Sequence, residues 1–376
     1  MPTLSPPLDP VKLWLAMLLR GAEPGALPDE SALLRVARAE GVLALCQYHW
    51  RRSPAWGQAS PALQAELTRC VHQEVAVELA RTVELRAVLS ALAQAGLPVL
   101  LIKGAALAHT LYPQPYLRSR CDTDLLVPSR EEAERVGRVL QTIGYQQPLS
   151  MYMSCDLVSY ELGCYKTSPG GWTQALDVHW RLANNALFAE RLTFPELAAA
   201  AVPLPALGPH AQGLGLAHAL LLACIHRMAN MQVGNANRLI WLYDIHRLAQ
   251  GLTDQQWQQI VKLAEERALC GPCCDGLDNT RLWFATTMPD AVLNRLRAGA
   301  DREGFDPHLF QSFWRFNWLT FRTLPSNTMR LRWLSQYLFP SASYMRSKYD
   351  FNSSLWLPWF HAVRIVRGTF RHLTGR

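Results

Sequence analysis

A chain of 376 residues with 49% hydrophobic and 18% charged side chains has enough apolar material for a buried core, which excludes a disordered or fibrous protein. Its mean hydropathy of -0.02 argues against a membrane-embedded protein, and its length predicts two or three domains of ordinary size. The formal charge is +7, but from Gln311 to Arg376 ten Lys/Arg face one acid, Asp350, so the first 310 residues sum to -2 and the basicity belongs to the tail.

The N-terminus, Met1 to Pro10, is proline-rich and carries Asp9 where an export signal would place positive charge. The apolar run Leu13 to Leu19, between Lys12 and Arg20, reads as an amphipathic helix. Residues 10–95 have helical composition and spacing, with breaks at Gly21–Pro28 and Ser53–Pro61. The last helix of this block is expected over about Val71–Gln94, ended by Ala95-Gly96 and Pro98. The period then changes. Pro98 to Lys103 is a short continuous apolar run that suits a buried strand. A helix is expected from Ala105, a loop over Tyr112–Tyr116, and a second strand over Cys121–Val127. Ser129 with Glu132 three residues on is a capping-box signature for a helix to Ile143. Ser159–Lys166 and Trp172–Trp180 read as two strands joined by the turn Thr167–Gly171. From Leu182 the strand signal disappears. Residues 191–300 read as helices broken at Pro203–Pro209, Gly251–Thr253 and Gly271–Gly276, and 304–376 as further helices. Leu214–Ile225, the most apolar stretch, carries His218 and is shorter than the roughly 20 residues a membrane span needs. No membrane span is therefore expected, and the cytoplasm is the expected compartment.

The outline is an α+β chain in four segments: an N-terminal helical region 1–95, an α/β core 96–183, a helical domain 184–303 and a basic, aromatic-rich helical region 304–376. Nine cysteines, an odd number, stand mostly inside apolar segments, as reduced core thiols do. Cys270-x-x-Cys273 has zinc-like spacing but no second pair follows, so a cluster at a helix end is expected.

The pointed chemistry lies in the α/β core. Asp122 and Asp124 are two apart on a predicted strand, so both carboxylates face one side. Such a pair repels itself unless a cation sits between its members. Oxygen donors of this kind suit Mg2+, or Mn2+, completed by substrate phosphates. Asp177, on the strand Ala175–His179, supplies a third carboxylate, and three acids on adjacent strands can hold two metals. Lys103-Gly104-Ala105 sits between a strand and a helix, where exposed amides cradle phosphate. Arg118 and Arg120, just before the acids, can neutralise phosphate charge. His179 shares the face of Asp177 and is read equally as a phosphate contact or a packing histidine.

Leu100-Leu-Ile-Lys-Gly-Ala-Ala-Leu107, Leu111-Tyr-Pro113, Arg118-x-x-x-Asp122-Thr-Asp124-Leu-Leu-Val127, Gly144-Tyr145 and Leu176-Asp-Val-His-Trp-Arg181 together resemble the uncharacterised nucleotidyltransferase family of the polymerase-beta-like superfamily. Arg238-Leu-Ile-Trp-Leu-Tyr-Asp244 and Leu338-Phe-Pro340 are also similar to it. The resemblance extends over about residues 30–350 and is strongest at 97–182. It implies a small mixed sheet with flanking helices and Mg2+-dependent transfer of NMP from an NTP to a hydroxyl or amine, with release of pyrophosphate. It matches the metal-binding acids to Asp122, Asp124 and Asp177, and the phosphate turn to Gly104 and Ala105. The acceptor (sugar, peptide, protein or RNA) is left open.

Asp244, His226 and His246 read as polar packing contacts between apolar helices, with lining of the cleft opposite the sheet as the alternative, and Asn230, Asn235, Asn237 and Arg238 as a polar loop. The tail carries Trp314, Trp318, Trp333, Trp356 and Trp359 among its arginines, which suits nucleic acid, an anionic surface or a helical cap. A non-catalytic nucleotide- or RNA-binding module is therefore the alternative to an enzyme. No P-loop, zinc-protease or nucleophile-elbow motif is present.

Overall fold

The computed structural model describes residues 9–147, 157, 159–168, 170–184, 186–233 and 237–374. Cys155, Asn235 and Pro169 of the expected turn lie outside them. Helices dominate around one six-stranded mixed sheet, an α+β arrangement. The strands are β1 (Leu100–Ile102), β2 (Thr123–Leu126), β3 (Glu161–Thr167), β4 (Thr173–His179), β5 (Val202–Pro203) and β6 (Gln212–Gly213), in the order β3-β4-β2-β1-β6-β5. The helices before and within the sheet are α1 (Pro10–Leu19), α2 (Glu30–Ala39), α3 (Leu43–Trp50), α4 (Pro61–Gln94), α5 (Lys103–Thr110) and α6 (Arg130–Thr142). Those after it are α7 (Phe194–Ala199), α8 (Leu216–Ala229), α9 (Leu239–Ala249), α10 (Asp254–Glu266), α11 (Cys270–Phe284), α12 (Asp290–Arg302), α13 (Phe313–Thr323), α14 (Asn327–Leu338), α15 (Ala342–Tyr349) and α16 (Leu357–Thr374). Among the described residues no helix is long and apolar enough to cross a membrane.

Two-sided burial explains the continuous apolar run of β1. Leu101, Leu125 and Val127 pack with Leu85, Val88 and Leu92 of α4 and with Val136 and Leu140 of α6. Leu100, Ile102 and Leu126 join Leu220, Leu221 and Ile225 of α8 on the other face. The alternation puts Asp124 on the α8 side, with Leu126 and opposite Ile102.

Four expectations are corrected. The break expected at Gly271–Gly276 lies inside α11, which is continuous from Cys270 to Phe284. The helix expected from Val71 starts at Pro61, ten residues earlier, with Ser60 capping the Leu63 amide. Strands do occur after Leu182. β5 and β6 have two residues each, too few for any period to register, and Gly213 pairs with Leu101. A Cβ on Gly213 would stand 3.2 Å from Leu204 and 3.4 Å from Ala106, so a side chain here would crowd both. Only half of the capping box forms: Ser129 Oγ accepts from the Glu132 amide, while the Glu132 carboxylate takes Arg135 at 2.7 Å.

Eight cysteines are described, all free thiols; seven are buried and Cys121 is exposed. Cys270, Cys273 and Cys274 start α11, whose first amides donate to the Glu303 carboxylate at 2.9 Å. Burial pushes the Cys270 and Cys274 thiols up to about 12, so both are inert at neutral pH.

Candidate active site

The sheet register assembles the site. β2 and β4 are parallel neighbours and Asp124 is directly opposite Asp177, with Leu126 opposite His179. Residues paired across a ladder share a face, so the two carboxylates stand side by side. Asp122 precedes β2 by one residue and is close enough to Asp124 for the two carboxylates to repel each other. β3 then adds Glu161 opposite His179 and Gly163 opposite Asp177.

Lys103 is the hinge between β1 and α5, with φ +53°. A non-glycine residue in this left-handed region costs roughly 1–3 kcal/mol, and such strain gathers at functional sites. The conformation delivers Lys103 Nζ to Asp124 Oδ1 at 2.6 Å. The same oxygen lies 2.8 Å from His179 Nε2, which is 3.4 Å from Lys103 Nζ. His179 Nδ1 lies 3.4 Å from Glu161 Oε2 without hydrogen-bond geometry. Asp124 Oδ2 accepts no hydrogen bond among the described residues.

Four carboxylates thus share one ammonium and one imidazole. Burial works against the Asp124 anion, but Lys103 and then His179 outweigh it and hold this carboxyl far below the usual range. Burial likewise opposes the Lys103 ammonium, yet Asp124, then Glu161 and Asp122, keep its pKa above the ordinary value. The outer acids lack such help. Asp122 is raised by burial and then by Asp124. Asp177 is pushed up to about 6 by burial and then by Glu161 and Asp124.

A stability prediction follows from Asp177. A carboxyl raised in the fold stabilises fully below its unfolded pKa and loses that stabilisation as pH rises toward about 6. Asp177→Asn should therefore be more stable than the wild type at pH 8, by about 1–2 kcal/mol after allowance for partial exposure, and the gap should close near pH 4. Differential scanning calorimetry in chelator checks this; a gap that does not change with pH would contradict the repulsion.

The other residues singled out in the sequence are placed differently. Arg118 is buried and fully paired. Its Nε lies 2.9 Å from both Asp244 oxygens, its Nη2 2.7 Å from Oδ2, and its Nη1 donates to Ser119 O at 2.7 Å. Tyr112 donates to the same aspartate at 2.6 Å. Arg120 pairs with Glu78 at 2.8 Å and donates to Thr123 Oγ1. Both arginines therefore tie the loop before β2 to α9 and α4. A Cβ on Gly104 would stand 3.3 Å from Arg118 Nη1, so this glycine makes room for that guanidinium. The Ala105 side chain is buried in the cluster with Leu85 and Leu101.

Two further residues stand at the site. Glu161 was missed, although counting outward from the Thr167–Gly171 turn brings it close to His179. His226, read as a packing residue, lines a 260 Å³ cavity with Lys103, His179, Asn184, Gln232 and Phe316. Burial, then the Lys103 ammonium, push its imidazole down to about 3, so it is neutral. Among the described residues Gln232 Oε1 is buried without a hydrogen-bond partner. His226 also lines a neighbouring apolar cavity with Lys103, Trp241 and Asp244.

The family described as uncharacterised nucleotidyltransferase matches residues 27–285. The chain belongs to this family. Membership supports a general role in nucleotidyl transfer with an NTP as substrate. The match contains every residue of the carboxylate cluster and stops before Leu338-Phe-Pro340, so it is shorter at its C-terminal end than the expected 30–350. No curated protein matches the chain.

A divalent metal is tested by what the donors offer. Among the described residues no three His, Cys, Asp or Glu side chains are close enough to hold one as placed. Asp124 Oδ1 is taken by Lys103 and His179. The donor chemistry fits all the same. The oxygens are hard, Asp124 Oδ2 is unengaged among the described residues, and burial, then neighbouring carboxylates, raise Asp122 and Asp177.

Proposed function

We propose that the chain transfers NMP from an NTP to a hydroxyl or amine acceptor at the Asp122–Asp124–Asp177 cluster, with release of pyrophosphate. The observation that carries this reading is the in-register pair Asp124 and Asp177 beside Lys103, with Asp122 at the entry to β2. Asp122, Asp124 and Asp177 would hold Mg2+, or Mn2+. Bound there, the ion neutralises the triphosphate and lowers the pKa of the attacking group.

The remaining roles fall to the chain. The acceptor oxygen or nitrogen attacks the α-phosphorus, a new bond forms there, and the bond to the β-phosphate oxygen breaks. Asp177 takes the acceptor proton. Lys103 exchanges Asp124 for triphosphate oxygens, and the amides at the start of α5, at Gly104 and Ala105, face the same anion. His179 holds Asp124 in place through Nε2. Arg118 and Arg120 act indirectly, by fixing the loop that carries Asp122. The 260 Å³ cavity against Lys103 and His179 receives the acceptor.

The test is mass spectrometry of candidate sugars, peptides, proteins and RNA ends after incubation with each NTP and Mg2+. The expected product is an acceptor heavier by one NMP, with stoichiometric pyrophosphate. NTP turnover that leaves no NMP on any acceptor and releases orthophosphate would refute the reading.

A further inference from the structure

We infer that the C-terminal region docks on a membrane surface rich in anionic phospholipid, lying on it without crossing it. Four tryptophans are exposed among the described residues, and all four, Trp314, Trp318, Trp356 and Trp359, are in this region. They share the surface with Leu355, which is 89% exposed, and Val366, at 66%.

Helical spacing groups these side chains. Trp314 and Trp318 are four apart on α13, with Arg315 and Arg322 beside them. On α16 Trp359 and Val366 are seven apart, which is one stripe of the helix, with Trp356 in the 3-10 turn just before it. An amphipathic helix with tryptophan and aliphatic residues on one face and cations beside them settles at a headgroup boundary.

Charge selects the kind of surface. Residues 311–376 hold ten Lys/Arg against Asp350 alone. A groove of about 460 Å³ joins α13 to α15 and α16, lined by Trp314, Tyr349, Lys348, Arg364 and Arg367, with no acid in its walls. Arg364 Nη1 donates to the Tyr337 carbonyl at 2.9 Å, which fixes its guanidinium at the groove. Three cations against aromatic walls suit a phosphodiester headgroup.

The same charges would attract RNA, but the apolar tips separate the two. A nucleobase stacks on a π face, and Leu355 and Val366 have none. Aliphatic side chains exposed beside tryptophan gain most from insertion among acyl chains. The surface is separate from the carboxylate cluster, although Phe316, between Trp314 and Trp318 on α13, turns inward to the cavity beside Lys103.

The experiment is co-sedimentation of the full chain with phosphatidylcholine vesicles, with and without phosphatidylglycerol, alongside a single-stranded RNA binding assay. Protein is expected in the pellet with phosphatidylglycerol only, with a blue shift of tryptophan fluorescence. Lys348→Glu and Arg367→Glu should each weaken binding by at least about fivefold, the equivalent of about 1 kcal/mol per charge. Trp356→Ser with Trp359→Ser should abolish pelleting while leaving the circular dichroism and thermal midpoint unchanged, since both side chains are exposed. Absence of pelleting with anionic vesicles, pelleting unaffected by the tryptophan changes, or tight RNA binding by a protein that ignores vesicles would each overturn the inference.

Discussion

Asp124→Asn is expected to abolish nucleotidyl transfer and to destabilise the protein, and only the second effect should be repaired by changing Lys103 as well. The carboxylate is buried and accepts from Lys103 at 2.6 Å. Neutralising it strands an ammonium in the interior, and breaking a buried pair in this way costs about 3–5 kcal/mol. Part of that cost is recovered at high pH, where the lysine can lose its proton. Asp124→Asn with Lys103→Met removes both charges and should regain most of the stability, so a double-mutant cycle should show strong coupling. Transfer should stay at least about 10³-fold below wild type in both variants, because removing a charge that acts on the reacting phosphate costs on that scale. Thermal unfolding and single-turnover label transfer, run on the four proteins of the cycle, separate the two effects. Full activity in the double variant would reduce Asp124 to a structural partner of the lysine.

The second large effect is expected at Asp244. Its carboxylate binds the Arg118 guanidinium through both oxygens and accepts from Tyr112. All three groups are buried. Burial works against the charge of Arg118, and Asp244 more than restores it. Asp244→Ala should therefore cost about 3–5 kcal/mol, since the arginine is left without its anion in a dry site. Arg118→Met should be nearly as costly, and it distinguishes two roles for this arginine. A direct phosphate ligand would raise KM for the NTP without a fall in thermal midpoint. A brace should lower the midpoint first and change KM modestly below it. Chemical denaturation together with NTP titration gives both numbers, and a large KM change in a fully stable Arg118→Met protein would restore the direct role.

The contrast between Asp124 and Arg118 indicates what could be read in the sequence. Local patterns identified β1, β2 and the β3–β4 hairpin, because an apolar run between turn residues is a property of adjacent positions. They also brought Asp122, Asp124 and Asp177 together, since period two and strand adjacency settle which way a carboxylate faces. Partners across long separations were not legible. Arg118 and Asp244 are 126 residues apart, and no local pattern predicts that they pair. Lys103 belongs to the same class. Its place on Asp124 depends on a backbone turned to φ +53°, which a Lys-Gly dipeptide does not announce. β5 and β6 escaped because two-residue strands carry no period.

Once the nucleotide and acceptor are known, the most direct measurement uses that NTP labelled either at the α- or at the γ-phosphate. The acid cluster, acting as described, should place the α-label on the acceptor and send the γ-label out as pyrophosphate, and Asp122→Asn with Asp124→Asn should stop both. Label from the γ-position on the acceptor, or α-label transfer undiminished in that double variant, would contradict nucleotidyl transfer at these carboxylates.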